Sequence, residues 1–133
     1  MQHVTADSNI FVSALLFGGK PLALVELARD GHIELAISDD ILTETLRVLR
    51  EKFHRTLEQL QADEALIAAV TTRVRPTEKI DAVQSDPDDN RVLECALAAR
   101  SKVVVSGDDD LLRLGSFRGM TILKVTEFLA RHR

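Results

Sequence analysis

Short apolar, β-branched segments alternate with longer helix-patterned ones along the 133 residues, and that alternation predicts a three-layer α/β/α sandwich around a central, mainly parallel sheet. A second observation is the run Val103-Val104-Val105, which is continuous rather than alternating, as in strands buried on both faces. A third is size and composition. A chain of 133 residues, 45% of them hydrophobic, suits one domain spanning residues 1–133 and is too apolar for intrinsic disorder.

Taken in order, Val4-Thr5-Ala6 reads as a first strand ending at Asp7, and Ile10 to Phe17 continues with helical apolar spacing. Pro21 can open a second helix whose apolar face is Leu22, Leu24, Val25, Leu27 and Ala28, and Gly31 stops it. Ile33 to Ile37 is the next strand. Ser38 and Asp39 can cap the helix that carries Ile41, Leu42, Leu46, Val48 and Leu49. A weaker helix is expected from about Leu57 to Thr71, and Val74 to Gln84 reads as irregular or briefly extended. Asp86-Pro87-Asp88-Asp89 is a helix start leading into Val92, Leu93, Cys95, Ala96, Leu97 and Ala99. The Val103–Val105 strand ends at Ser106-Gly107-Asp108. Thr121-Ile122-Leu123 is the last strand and Val125 to Arg131 the last helix.

Composition narrows the function. A net charge of −4 argues against charge-driven adhesion to nucleic acid, and five Phe with no Trp or Tyr argue against an aromatic stacking surface. The single cysteine, Cys95, excludes an internal disulfide framework and fits a reducing compartment. No signal peptide pattern opens the chain and no run of about 18 apolar residues could span a bilayer, so the expectation is a soluble, cytoplasmic protein with no membrane association. If the chain acts on nucleic acid, something other than a basic, aromatic surface must bring the phosphate in, and a metal ion held by carboxylates would do so.

In parallel sheets, ligands sit outside the carboxyl ends of the strands. Asp7 follows the first strand, Asp108 follows the Val103–Val105 strand, and Asp89 starts a helix in the same loop layer. Glu44 lies early in the helix after the second strand, at the border of the apolar stripe beside Ile41 and Val48, from where it can lean into a cleft. Asp86, Asp88, Asp109 and Asp110 add charge nearby. Hard cations such as Mg²⁺ and Mn²⁺ prefer carboxylate and water oxygen, and they reverse the sign of a site that would otherwise repel a phosphodiester. Read singly, the same acids are helix caps or solvated turns: Asp86, Asp88, Asp89, Asp39 and Asp40 as N-caps, Asp108 to Asp110 as a turn, Glu44 as a surface residue.

Together these residues resemble the PIN-domain family, most closely the VapC-like toxins of toxin–antitoxin pairs. The resemblance lies in Asp7-Ser8-Asn9, in Glu44 within Leu42-Thr43-Glu44-Thr45-Leu46, in Asp86-Pro87-Asp88-Asp89-Asn90 leading to Leu93-Glu94-Cys95-Ala96, and in Ser106-Gly107-Asp108-Asp109-Asp110-Leu111-Leu112. It covers about Val4 to Leu129. It implies a sheet of about five strands, Mg²⁺- or Mn²⁺-dependent endonuclease activity on single-stranded RNA, a possible antitoxin partner and a homodimer. The implied catalytic and metal-binding quartet is Asp7, Glu44, Asp89 and Asp108, with Asn9 and Ser106 in support. Ser8 stands where the family commonly has Thr. Asp89 takes the third position because it lies seven residues before Ala96, with Asp86 and Asp88 as the alternatives, and Asp110 can assist or replace Asp108.

The remaining signals are weaker. Gly18-Gly19-Lys20 lacks the rest of a phosphate loop and reads as a turn. His3, His32, His54 and His132 share no ligand spacing. Cys95 falls on an apolar helix face and reads as core. Arg47, Arg50, Lys52 and Arg55 read as a solvated helix face that can also contact RNA or a partner, and Arg91, close to Asp89, as a candidate RNA contact. The second and third helix-patterned stretches, Leu22 to Ala28 and Ile41 to Leu49, offer more apolar face than the sheet needs, which suggests a dimer interface. The alternatives are a non-catalytic PIN-like module binding RNA or protein, and a receiver-like phosphoacceptor domain. The second has superficial support in Lys124, but it needs an acid pair where Ala6-Asp7 supplies one acid. A haloacid-type phosphatase would need a second Asp at Asn9.

Overall fold

The computed structural model describes residues 1–132. The elements run β1 (Gln2–Ala6), α1 (Ser8–Phe17), α2 (Gly19–Arg29), β2 (Ile33–Ile37), α3 (Asp39–Phe53), α4 (Leu57–Val70), β3 (Thr72–Arg73), α5 (Pro87–Ala99), β4 (Val103–Val105), α6 (Asp109–Leu114), β5 (Ser116–Phe117), β6 (Met120–Leu123) and α7 (Val125–Arg131). They form a six-stranded sheet in the order β3-β2-β1-β4-β6-β5, parallel throughout except for β5, which pairs antiparallel with β6. This is the α/β architecture with helices on a mainly parallel sheet that the sequence predicts, with one strand more than the resemblance implies.

The central strands explain why the sheet is covered on both faces. All of Val4–Ala6 and all of Val103–Val105 are buried. Side chains alternate between faces along a strand. Thr5 looks toward α5, where its hydroxyl bonds Ser101 Oγ at 2.8 Å beside Cys95, so Val4 and Ala6 look toward the opposite layer. The core is filled by Phe11, Leu24, Ile33, Leu35, Ile37, Leu93, Leu111 and Phe128. A smaller cluster of Val12, Val48 and Leu49 seals the seam between α1 and α3.

Four elements differ from the expectation. Asp109 to Leu114 form a helix rather than a solvated turn, because Asp108 caps its first amides and Leu111 anchors it in the core. The two-residue strands β3 and β5 are too short to leave a pattern. The second helix starts at Gly19, before Pro21, with Gly18 at φ +71 making the corner that carries α1 into α2.

The segment Val74–Asp86 has no regular structure and is organised by side chains of α5. Asn90 Oδ1 accepts from the amides of Ala82 (2.9 Å) and Val83 (2.8 Å), and its Nδ2 donates to Val83 O at 2.7 Å. Glu94 Oε2 accepts from Ile80 N at 2.9 Å. Ile80 and Val83 are thereby seated in the core, and the chain is delivered to Asp86 at the start of α5.

The strand order places the functional edge. From β1 the chain moves outward to β2 and β3 on one side, while β4 and β6 lie on the other. The change of direction falls between β1 and β4, the crevice where doubly wound sheets hold ligands. Asp7 leaves the end of β1 there, and Ser106 to Asp108 leave the end of β4.

Candidate functional site

Three of the acids at this edge begin helices. Asp7 caps α1, its Oδ1 accepting from Ile10 N at 3.1 Å, while its own amide donates to Val105 O at 3.1 Å and ties β1 to β4. Asp86 caps α5, its Oδ1 accepting from Asp88 N at 3.1 Å. Asp108 caps α6, its Oδ1 accepting from Asp110 N at 2.9 Å and Leu111 N at 3.1 Å. A cap fixes one carboxylate oxygen to the backbone and so orients the other. Ser106 links two of these acids, its Oγ donating to Asp7 Oδ2 and accepting from Asp108 N at 2.9 Å.

Asp89 is in the first turn of α5 and is buried, and its Oδ2 has no hydrogen-bond partner. Asp86, Asp89 and Asp108 each offer an oxygen, and the three lie within 4.8 Å of one another. Asp7 adjoins this cluster through Ser106. Of the sequence-predicted quartet, Asp89 and Asp108 are therefore in the tight group. Asp86, expected in support or as an alternative to Asp89 in the third position, joins them. Glu44 stands at the rim, held by Arg47 (Nε to Oε2 3.2 Å), which also reaches Glu51 at 2.9 Å. Asp110 is committed elsewhere, accepting from Ser85 Oγ at 2.8 Å and Arg113 at 3.0 Å. Asn9 is exposed on the cleft wall. Arg91 also lines the cleft but pairs with Glu94 at 2.8 Å and donates to Ile80 O at 3.3 Å.

The cleft has a volume of about 240 Å³. Its electrostatics follow from crowding like charges in a partly dry space. Burial, then the adjoining Asp108 carboxyl and the charges of Asp86 and Asp7, push Asp89 up to about 8. Burial raises Asp7 to about 6, with Asp108 adding to the rise and the bonds from Ser106 and Ile10 opposing it. Asp88, which also lines the cleft, is raised by desolvation and by Glu44 and Asp86.

An all-oxygen donor set that includes a residue with a buried, unpartnered carboxylate oxygen fits a hard divalent cation such as Mg²⁺ or Mn²⁺. Without one, Asp89 Oδ2 is buried with no hydrogen bond in return, an arrangement proteins otherwise avoid. An ion in reach of Asp86, Asp89 and Asp108 would satisfy that oxygen and cancel the repulsion in one step.

Two cleft residues were undervalued by the sequence reading. Arg47 and Lys52 line the cleft, though their run reads as a solvated face. Their offsets of three and eight residues from Glu44 put them on the same side of α3, and that spacing was the signal available. Lys124 is absent from the cleft and exposed at the start of α7, so the pocket lacks the lysine of a receiver domain. The apolar surplus lies only in part where expected, at Leu22. Leu24, Val25, Ile41, Leu42, Val48 and Leu49 are consumed by the core, while Phe17, Leu22, Phe53, Leu57 and Leu66 remain exposed.

Comparison with known proteins agrees with this geometry. A family model described as the PIN domain matches residues 3–110. No curated protein matches the sequence. Among solved structures, a chain of the crystal structure of VapBC2 from Rickettsia felis, bound to a DNA fragment from the promoter, is similar with a TM-score of 0.65. The match covers 91% of this chain and 97% of that one at 14% identity, which speaks to the fold.

Proposed function

Because the chain belongs to the PIN-domain family, we propose that it is a divalent-metal-dependent endoribonuclease that hydrolyses phosphodiester bonds of single-stranded RNA, and the toxin of a toxin–antitoxin pair. The observation that carries this reading is the cluster of Asp86, Asp89 and Asp108 at the switch point of the sheet, in which Asp89 keeps a buried, unpartnered Oδ2.

On this reading Asp86, Asp89 and Asp108 would hold Mg²⁺ or Mn²⁺, with Asp7 and Glu44 completing the acidic shell. A bound divalent ion supplies charge neutralisation at the phosphodiester and lowers the pKa of an attacking water. Asp7, held in place by Ser106 beside the cluster, is the group suited to take a proton from the attacking water. Ser106 keeps Asp7 and Asp108 in register, and Asn9 faces the substrate from the cleft wall. Arg47 positions Glu44 through their ion pair, and Arg91 adds positive charge at the cleft margin.

The VapC-like motifs, and the likeness to a VapBC2 chain, support an antitoxin partner and a cytoplasmic setting. Among the described residues no single helix is long and apolar enough to cross a membrane. An apolar groove of about 230 Å³ between α1, α2 and α4, with Leu22 and Leu66 on its exposed margin, is the surface suited to an antitoxin segment or to a second copy in a homodimer.

The test is cleavage of end-labelled single-stranded RNA. Fragments are expected with Mn²⁺ or Mg²⁺ and none with EDTA, and Asp89→Asn should lower the rate by orders of magnitude. Cleavage that persists in EDTA after contaminating nuclease is excluded, or an Asp89→Asn chain as active as the wild type, would overturn the reading.

A further inference from the structure

Five Phe with no Trp or Tyr make a poor stock for stacking nucleobases, yet the structure places two of those five together on the surface. Phe17, the last residue of α1, is 72% exposed, and Phe53, the last of α3, is 42% exposed. Their rings meet edge to face, with centroids 6.0 Å apart at 74°. That geometry is favourable between the two rings and leaves an open ring face toward solvent. The core does not require it, because the α1–α3 seam is already sealed beneath by Val12, Val48 and Leu49.

The pair's position connects it to the cleft. Lys52, the residue before Phe53, lines the acidic cleft together with Val48. Its position in the last turn of α3 suits the helix dipole, but that would be equally true of an outward-facing lysine. Three cations line the cleft. Arg47 is held by Glu44 and Glu51, and Arg91 by Glu94, whereas among the described residues Lys52 has no carboxylate within 4.0 Å. From Glu44 to Lys52 the helix rises about 12 Å, so the cleft, the free ammonium and the aromatic pair follow one another along the α3 surface.

We infer that the Phe17–Phe53 pair and Lys52 form a subsite for the substrate strand, in which an unstacked base rests on the exposed ring and its backbone phosphate meets the lysine. The inference rests on the proposed ribonuclease function and adds to it the direction in which the strand leaves the acidic cluster. A cation beside an open aromatic face is the pairing that single-strand binders use, since every base has a π-face and every linkage a charge.

The test separates stacking from charge and from overall fold. Two fluorescent 12-mers of equal length, one ordinary single-stranded RNA and one abasic, are titrated in Mg²⁺ against the full-length Asp89→Asn chain, which does not turn over on the proposed mechanism. The base-bearing strand should bind roughly tenfold more tightly, within the range measured for one or two stacked bases. With Phe17→Leu and Phe53→Leu added, that preference should vanish while the melting temperature stays within a few degrees. Lys52→Gln should instead weaken both strands alike and flatten the salt dependence by about one counterion. Equal binding of the two strands by the parent, or a preference that survives the double Leu variant, overturns the subsite. So does a double variant whose only change is in sedimentation, which would assign the aromatic pair to a protein interface. Metal-dependent cleavage by the wild type, measured alongside, distinguishes failure of this subsite from failure of the ribonuclease reading.

Discussion

Asp7, Asp86 and Asp108 each cap a helix through Oδ1 and leave the second oxygen uncommitted to the backbone, so the cap that seems to compete with a metal-binding role is what aims the carboxylate. Their roles as caps and as ligands separate under substitution. Asparagine caps a helix about as well as aspartate, but it carries no charge. Asp108→Asn should therefore leave the metal-free protein at an equal or higher melting temperature, because a neighbour that raises Asp89 and Asp7 has lost its charge. Asp108→Ala should cost about 0.5–2 kcal/mol through the bonds lost to Asp110 N and Leu111 N. Both should lose the metal-induced rise in melting temperature and the cleavage activity. Thermal melts with EDTA and with Mn²⁺ check it, and an equal metal shift in wild type and both variants would remove Asp108 from the ligand set.

Helix α5 joins the site to the rest of the chain, since its first turn holds Asp86 and Asp89 while its next turn holds Asn90 and Glu94 on the irregular segment before it. Replacing Asn90 by Ala strands the amides of Ala82 and Val83 and the Val83 carbonyl. Each buried group left without a partner costs about 1–3 kcal/mol, discounted here for the solvent that reaches Ala82. The expected outcome is a lower urea midpoint together with weaker metal stabilisation, because the chain that delivers Asp86 is loosened. Unchanged metal affinity at reduced stability would limit Asn90 to folding. The strands Val4–Ala6, Ile33–Ile37 and Val103–Val105 and the start of α5 were legible in the sequence because burial on both faces and helix capping are local patterns. Helix α6, six residues long, and the pairs β3 and β5 were not, because tertiary contact rather than periodicity creates them. For the site, strand ends located Asp7 and Asp108. Whether Asp86 or Glu44 completes the tight cluster depends on the Glu44–Arg47 ion pair and on the path of Val74–Asp86, neither of which a periodic pattern encodes. The exposed Phe17–Phe53 pair eluded the reading for a related reason: composition counts aromatics but not their gathering.

At the scale of the whole molecule, the acidic edge should make metal-free stability fall as pH rises, opposite to the common behaviour of paired surface carboxylates. Asp7 and Asp89 have folded-state pKa values near 6 and 8, above the 3.8 of an unperturbed aspartate. A group that holds its proton more tightly when folded contributes stability that is complete below the unfolded pKa and is lost as pH passes the folded one. The loss should begin above pH 4 and continue to about pH 8. Asp7 alone accounts for about 3 kcal/mol of it, at about 1.4 kcal/mol per pKa unit. The upper part of the window belongs to Asp89. Metal binding displaces the Asp89 proton, so its stabilising effect should be slight near pH 5 and grow toward pH 8. Melting temperatures from pH 5 to 8.5 in EDTA should therefore decline in the wild type. The decline above about pH 6.5 should flatten in Asp89→Asn, and the Mn²⁺ curve should diverge upward from the EDTA curve over the same range. A metal-free melting temperature that is flat or rising between pH 5.5 and 8, or an Asp89→Asn chain with the wild-type slope, would mean that the carboxylates are hydrated and independent, and the electrostatic account of the site would fall with it.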